Sequence, residues 1–563
     1  MEKGILKLNP SKKSFFFKTL LIVISLCLTL SCSQKSFDYQ AVASRHHLAT
    51  DIGIEVLNRG GNAVDAAVAI AFALAVVNPS AGNIGGGGFM LIHLAEKSQS
   101  IALDYRERAP LKSSTNMYLD ENGNVIKGLS LNSTLASGVP GTIAGLFYAS
   151  EKFGSLKIES LIEPSIKLAK NGFTLSEFQS KNINKYKKKF KRNVDATRIF
   201  TRPGGFKTND LLVQEDLGNT LERISKNGMS EFYSGHTARK ITDFFNSNGG
   251  ILSQEDLLQY KVKESKSICG SYRVYKVCSM PPPSSGGIAL IQMLNILENF
   301  NLSEIEHNSE EYLKILISVM NYAFYDRAKY LGDSEFFNVP QKTLTSKKYG
   351  KNIYDRILKN ISPTESNIIF SESEETTHFS VIDKWGNVVS NTYTLNTAYG
   401  SGIVPSGTGI LMNNEMDDFS SKPGHQNAYG LVGSEANKIE PNKAPLSSMS
   451  PVIVFFEEKP FLVTGSPGGS TIITTVLQEI LNITDFQMTL NESSNKSRIH
   501  FQHLPDILFH EKINDKIKSN LILDRKLMNR KLGETHSILI KENIITAHSD
   551  KRRPDGKAST IHK

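Results

Sequence analysis

Cysteine is scarce in this chain of 563 residues, which has four. None of them shows zinc-ligand or redox Cys-x-x-Cys spacing, so a structural zinc site and a dithiol redox centre are both set aside. Long apolar runs are also few. The stretch Leu20 to Leu30 is about the length of a signal-peptide core and too short to cross a bilayer as a helix. Ala63 to Val77 is apolar on most faces but short, and it carries Asp65, which points to a buried core helix. A strong charge imbalance is missing too. The formal net charge is +9, a modest excess for this length and weak ground for a nucleic-acid partner. The densest basic run is Lys185-Tyr-Lys-Lys-Lys-Phe-Lys-Arg192. Its aromatics suit a nucleic-acid surface, but a solvated helix or loop face explains it without a partner, and that is the expectation here. No internal repeat is present. With 39% hydrophobic and 21% charged residues, the composition is that of an ordinary globular protein.

The N-terminus reads as an export signal over residues 1–31. Lys3, Lys7, Lys12, Lys13 and Lys18 precede the apolar run, and Ser31-Cys32 follows it. A cysteine in that place is similar to a bacterial lipoprotein cleavage site, with Cys32 as the lipidated first residue. Thr29 stands where such sites usually carry leucine, so plain secretion and a retained anchor remain open. The expected location is periplasmic, or at a membrane through the lipid. Cys269 and Cys278 flank a segment that alternates like a strand or hairpin. They can pair in an oxidising compartment if their Cα atoms come close, which the sequence leaves open.

Further along, Asp51 to Val77 reads as helix, broken at Arg59-Gly60-Gly61 and restarted on the cap Asn62. The glycines of Asn83-Ile-Gly-Gly-Gly-Gly88 lie between that helix and a strand, Phe89 to Leu94, which suggests close backbone packing. Ile101 to Arg106 is the expected partner strand. Helices are expected around Gly141–Lys152, Ile158–Lys170, His236–Asn246, Gly286–Phe300 and Glu310–Tyr330. Ile361 to Glu375 reads as an exposed connector. Beyond it the pattern turns to strand: Thr376–Ile382, a turn at 383–387, Val388–Leu395, then a hairpin over Pro451–Glu457 and Phe461–Thr464. A turn, Ser466-Pro-Gly-Gly469, leads into a helix from Ser470 to Leu481. Strands framed by helices in both halves suggest sheets between helical layers.

The chemistry centres on Thr376. Inside a chain a threonine is a poor nucleophile. If the preceding peptide bond is cut, its own α-amine, with a reference pKa of about 7.7–8, becomes a base beside the hydroxyl. Gly468 and Gly469, at a tight turn before a helix, leave backbone N–H groups able to face an oxyanion. Arg106 offers a forked cation for a carboxylate, and Ser447 and Ser448 add hydroxyl donors. Asn396, Glu415 and Asp418 offer acceptors for an ammonium group. Together these suit the head of an α-amino acid. Taken singly each has a plain structural reading, and Arg106 beside Glu107 reads as an ordinary surface charge.

These segments, in this order, resemble the γ-glutamyltranspeptidase family, bacterial type, within the N-terminal-nucleophile hydrolases. The matching stretches are Asn83-Ile-Gly-Gly-Gly-Gly-Phe89, Asp104-Tyr-Arg-Glu107, Ser279-Met-Pro-Pro-Pro-Ser-Ser-Gly-Gly287, Thr376-Thr-His378, Thr394-Leu-Asn-Thr397, Met416-Asp-Asp-Phe-Ser420 and Ser466-Pro-Gly-Gly469. They span roughly Tyr39 to Asp550. The resemblance implies an α+β fold, a four-layer αββα sandwich. It implies self-cleavage between Glu375 and Thr376 into a large subunit, 32–375, and a small one, 376–563, held as a heterodimer. It implies that Thr376 attacks the γ-glutamyl amide of glutathione and related compounds, then passes the glutamyl group to water, an amino acid or a peptide. Thr394 would support the nucleophile, and Gly468 and Gly469 would form the oxyanion hole. Arg106, Ser447 and Ser448 would hold the α-carboxylate, and Asn396, Glu415 and Asp418 the α-amine. Tyr429 matches a lid tyrosine. No metal or organic cofactor is implied.

Two departures stand out. Glu415 sits where bacterial relatives often carry glutamine, which adds negative charge at the amine site. The segment Ser549 to Gly556 follows the family pattern only in part, with Arg552 matching an arginine there. Two rival readings remain. One is a related amidase of the same fold acting on glutaryl amides, against which the amine-binding set argues. The other is an unprocessed lipoprotein that binds peptides, against which Thr376 and Gly468-Gly469 argue.

Overall fold

The computed structural model describes residues 39–363, 376–522, 526–542 and 544–562. The segment expected to be an export signal, Cys32 and most of the connector Ile361–Glu375 lie outside them. In chain order the main strands are β1 (Tyr39–Ser44), β2 (Gly87–Leu94), β3 (Gln99–Tyr105), β4 (Lys263–Lys266), β5 (Ile268–Tyr272), β6 (Tyr275–Ser279) and β7 (Thr377–Ile382). They continue as β8 (Val388–Thr394), β9 (Val452–Phe456), β10 (Lys459–Thr464), β11 (His536–Lys541), β12 (Ile544–Ser549) and β13 (Lys557–His562).

Two sheets are built from them. One has seven strands in the order β13-β1-β7-β8-β2-β3-β4, the other six in the order β12-β11-β10-β9-β6-β5. Every pairing in both is antiparallel. Their facing sides bury Phe89, Leu91, Ile382, Val388, Ile453, Val463 and Ile538 as a central core. Helices α1 (Ala63–Val77) and α2 (Thr142–Phe153) cover the outer face of the seven-stranded sheet. Helices α3 (Gly286–Leu297), α4 (Glu310–Tyr330) and α5 (Thr471–Thr484) cover that of the other. The result is the expected four-layer αββα sandwich. Residues on either side of position 376 share both sheets: β1 lies between β13 and β7, and β6 beside β9.

Helix α1 is buried on every side because it lies between the sheet and a second helical layer. Its one charge, Asp65, closes a capping box with Asn62 and accepts further N–H groups from Ser155 and Leu156. A buried carboxylate so supplied has its lone pairs satisfied. The glycine run does pack against neighbouring backbone. A Cβ at Gly86 would stand 2.1 Å from the Thr394 carbonyl oxygen, and one at Gly88 2.4 Å from the Tyr393 Cβ. Cys269 and Cys278 face each other across β5 and β6 and form a disulfide. The basic run forms the expected solvated face except at one residue. Lys188, Lys191 and Arg192 are exposed, but Lys189 turns inward and donates to the carbonyls of Ala398 and Gly400 at 2.8 and 2.6 Å.

The C-terminal strands rest on a buried ion network. Arg498 and Arg552 both pair with Asp550, and Arg45 and Arg553 both pair with Glu534. Burial alone would raise the pKa of either carboxyl, but the paired guanidinium groups more than reverse this and bring both down to about 2. A carboxyl whose folded pKa is depressed stabilises the fold above its unfolded value and loses that contribution as pH falls through the folded one. Asp550→Asn should therefore lower Tm clearly at pH 7 and by much less near pH 2. Thermal unfolding at the two pH values checks this; an equal loss at both would exclude the ion network as the cause.

Candidate active site

The hairpin of β7 and β8 sets the site. Its register pairs Thr377 with Tyr393, and one step further along brings Thr394 opposite Thr376. Thr376 is 3% exposed, and its carbonyl accepts a hydrogen bond from Arg45 Nη1 at 2.5 Å. The Thr394 hydroxyl accepts from the Asn396 N–H at 2.9 Å, which fixes the turn after β8, where Asn396 has φ +74°.

A small cavity collects Arg106, Thr376, Thr394, Asn396, Glu415, Asp418, Tyr429, Ser447, Ser448 and Gly469. Ten of the eleven residues singled out from the sequence thus share one space. Gly468 faces the other way, into a larger groove. The two glycines have φ of +132° and +56°, and helix α5 begins just after them. Among the described residues, neither of their N–H groups has a backbone acceptor.

Arg106 is not a surface charge: it is fully buried. Its guanidinium bonds Glu415 and, at 2.6 Å, Asp418, with Glu107 3.5 Å away. Three carboxyl groups therefore surround one cation. Burial pushes the pKa of Glu415 and Asp418 up, against the pull of Arg106, and Glu107 up to about 7. Among the described residues, several acceptors in this corner have no hydrogen-bond partner: Glu415 Oε2, both Glu107 oxygens and Asn396 Oδ1. A buried acceptor left unpaired costs about 1–3 kcal/mol, so their clustering marks a place for a donor-rich ligand.

The opposite wall is Ser447-Ser448. It is clamped to the proline-rich loop, where Ser285 donates to the Ser447 carbonyl through both N–H and Oγ, at 2.8 and 2.6 Å. Arg327 from α4 is buried and donates to the hydroxyls of Ser448 and Ser285 at 3.2 and 3.0 Å. Tyr429 forms the roof. Its hydroxyl bonds the Asn396 carbonyl, and a Cβ on Gly469 would stand 2.4 Å from its ring. Asn427 and Asp417 hold the roof turn: Asn427 Oδ1 accepts from the Tyr429 N–H, and Asp417 Oδ2 accepts from the Ala428 N–H. Closed in this way, the cavity keeps about 20 Å³, space for a single water.

Arg45, Glu107, Arg327, Asp417 and Asn427 were not singled out from the sequence as site residues. Glu107 was visible beside Arg106 but read as a surface neighbour. Arg45 and Arg327 carry no local pattern; only the fold brings them near. His378, in the motif after Thr376, is buried between the Thr392 and Ser380 hydroxyls, and burial pulls its pKa well below the usual value. It is a neutral packing group between the sheets. Among the described residues no cluster of His, Cys, Asp or Glu has the arrangement of a metal site, and no helix is long and apolar enough to cross a membrane.

Comparison with known proteins points to one family. The family model described as Gamma-glutamyltranspeptidase matches residues 49–560. The glutathione hydrolase proenzyme of Escherichia coli (strain K12) is 46% identical over 525 residues, covering 91% of this chain and 90% of that protein. The solved gamma-glutamyltranspeptidase of Helicobacter pylori is 46% identical with a TM-score of 0.55, covering 57% of this chain and 91% of that one. The cephalosporin acylase from Bacillus halodurans has a TM-score of 0.80 at 23% identity, covering 92% of this chain and 95% of that one, a likeness of fold.

Proposed function

The chain belongs to the gamma-glutamyltranspeptidase family, and from that premise we propose that Thr376 is the nucleophile of a γ-glutamyltransferase and glutathione hydrolase that first cuts itself. The enzyme acts on γ-glutamyl amides. In the maturing step the Thr376 hydroxyl attacks the Glu375 carbonyl carbon and the peptide C–N bond breaks. Water then opens the resulting ester, leaving Glu375 as a carboxylate and Thr376 with a free amine. The products are a large and a small subunit, 32–375 and 376–563, that stay together. The word proenzyme in the name of the Escherichia coli relative supports this reading.

In turnover the α-amine takes the hydroxyl proton as Thr376 Oγ1 attacks the γ-carbonyl. The N–H groups of Gly468 and Gly469 stabilise the oxyanion. The amide C–N bond breaks, and the leaving amine takes the proton. Water or an amine acceptor then attacks the glutamyl ester and regenerates the hydroxyl. Thr394 holds the turn beside the nucleophile. Ser447, Ser448 and one face of the Arg106 fork bind the α-carboxylate; Asn396, Glu415 and Asp418 bind the α-amine. Tyr429 closes over the head and must swing away to admit it. Export to the periplasm, with or without a lipid on Cys32, fits the signal-like N-terminus.

The observation that carries this reading is the pair of unpartnered buried acceptors, Asn396 Oδ1 and Glu415 Oε2, in the cavity that Thr376 lines. An ammonium supplies them with donors; a glutaryl head, which lacks one, leaves them unpaired and adds no charge to balance the carboxylates. Loss of such pairing costs a site roughly 10⁴-fold in discrimination. The enzyme should therefore release p-nitroaniline from the γ-glutamyl anilide at least about 10³-fold faster than from the glutaryl anilide. Comparable rates would favour an acylase of the same fold.

A further inference from the structure

Arg45 follows directly on β1, whose register places Ser44 opposite Phe379 on β7. The two strands are antiparallel, so each step along β1 comes nearer the start of β7, where Thr376 stands. The Arg45 side chain is buried and bridges two groups of the site. Its Nη1 donates to the Thr376 carbonyl at 2.5 Å, and its Nε forms an ion pair with Glu534 Oε1 at 2.6 Å. Glu534 is held in turn. Arg553 pairs with its other carboxylate oxygen at 3.0 Å. Its N–H donates at 2.9 Å to Ser466 Oγ, in the turn that carries Gly468 and Gly469. The main chain of the nucleophile and the oxyanion turn are thus tied to one carboxylate residue, and Arg45 is the tie.

The tie also carries a charge. The N and O atoms of one residue are three bonds apart, at most about 3.6 Å. Arg45 Nη1 therefore lies within about 6 Å of the Thr376 nitrogen, a range at which a cation disfavours protonation of an amine. The other charged groups around Thr376 form two sets. On the Glu534 side, Arg45 and Arg553 face one carboxylate, with His536 Nε2 3.9 Å from it. On the cavity side, Arg106 faces Glu107, Glu415 and Asp418. His378, two residues on, is held neutral by burial. Removing Arg45 takes one positive charge from the first set and leaves the second as it is.

We propose that Arg45 is a positioning residue for the nucleophile: braced on Glu534, it anchors the Thr376 main chain and, once the bond before Thr376 is cut, keeps the new α-amine unprotonated, and so active as a base, closer to neutral pH. This rests on the role given to Thr376 above. It also gives a function to the Arg45–Glu534–Arg553 part of the ion network, which otherwise serves only to hold the C-terminal strands.

The test is the pH profile of kcat/KM for the γ-glutamyl anilide, whose acid limb reports the base of the free enzyme. Arg45→Gln removes the cation, so the limb should move to higher pH by roughly one unit, a tenfold loss on the acid side that is absent on the alkaline side. Glu534→Gln removes the opposing charge and should move the limb to lower pH. Arg45→Lys keeps the charge but not the fork, so its limb should stay near that of the wild type while kcat falls. A general loosening of the fold cannot produce shifts of opposite sign. If Arg45→Gln does not fold or does not cut itself, Glu534→Gln and Arg45→Lys carry the test alone. A limb that stays in place in the glutamine variants, or moves the same way in both, would overturn the role of Arg45 and leave the γ-glutamyl reading standing. A wild type that neither cuts itself nor turns over the anilide would overturn that reading.

Discussion

Thr376→Ala should purify as one uncut chain and stay so on long incubation, with γ-glutamyl hydrolysis and transfer reduced roughly 10⁴–10⁶-fold, the range seen when a nucleophile is removed. In the proposed mechanism a single hydroxyl serves both steps, so a single deletion should remove both. The geometry gives no substitute. The neighbouring Thr377 points elsewhere on β7, and Thr394 keeps its hydroxyl engaged with the Asn396 N–H. Thr376→Ser keeps the oxygen but loses the methyl that restricts its rotamers. It should process slowly and retain partial activity. Denaturing electrophoresis with N-terminal sequencing of the smaller band decides the matter: the wild type should give Thr-Thr-His-Phe-Ser, and the alanine variant no smaller band. A cut, active alanine variant would falsify the assignment of the nucleophile.

Arg106→Leu should be the next most damaging change, and for a different reason. Among the described residues, it removes the one cation in direct contact with Glu107, Glu415 and Asp418. Breaking a buried ion pair by deleting one partner typically costs about 3–5 kcal/mol, because the remaining charge stays buried. Part of that cost is avoided by proton uptake on the carboxyls, which burial already inclines to protonate. The ligand also loses the forked donor for its α-carboxylate, so kcat/KM should fall by roughly 10²–10⁴ through charge-assisted hydrogen bonds alone. Arg106→Lys separates the two effects. It keeps the charge and much of the stability but not the fork, so its Tm should lie near that of the wild type while KM rises sharply. A leucine variant with wild-type Tm and KM would show that Arg106 neither balances the carboxylates nor binds substrate.

Much of the fold was legible because burial leaves a period in the sequence. The helix expected at Glu310–Tyr330 has those ends, set by Ser309 as cap and by Leu331 turning extended. The hairpin around 383–387 was visible because both arms alternate and its turn is made of Asp, Gly and Asn; Asp383 indeed accepts the N–H groups of Trp385 and Asn387. The site was legible as a set of residue types but not as a wiring diagram. Arg106 and Glu415 are 309 positions apart, and no local pattern says that they contact each other. The basic run is solvated at Lys185, Lys188, Lys191 and Arg192 as expected, and Lys189 is its one departure, for the same reason. Lysines on a short helix look solvated until a loop folded from residues 397–400 presents its carbonyls to one of them.

The strand order has a consequence for heredity. β1 comes from the chain before Thr376, yet it is sewn between β7 and β13, which come after it; β6 and β9 meet in the same way across the second sheet. The two pieces that the proposed cut would leave are thus woven through one another, each supplying rows that the other needs to complete a sheet. Neither half has a closed hydrophobic interior to fold around before its counterpart arrives. The proposed scission at Thr376 would follow folding rather than precede it. A gene split at that codon should deliver two orphans, so on the proposed cut the single reading frame would act as the assembly chaperone of an enzyme that later discards the join.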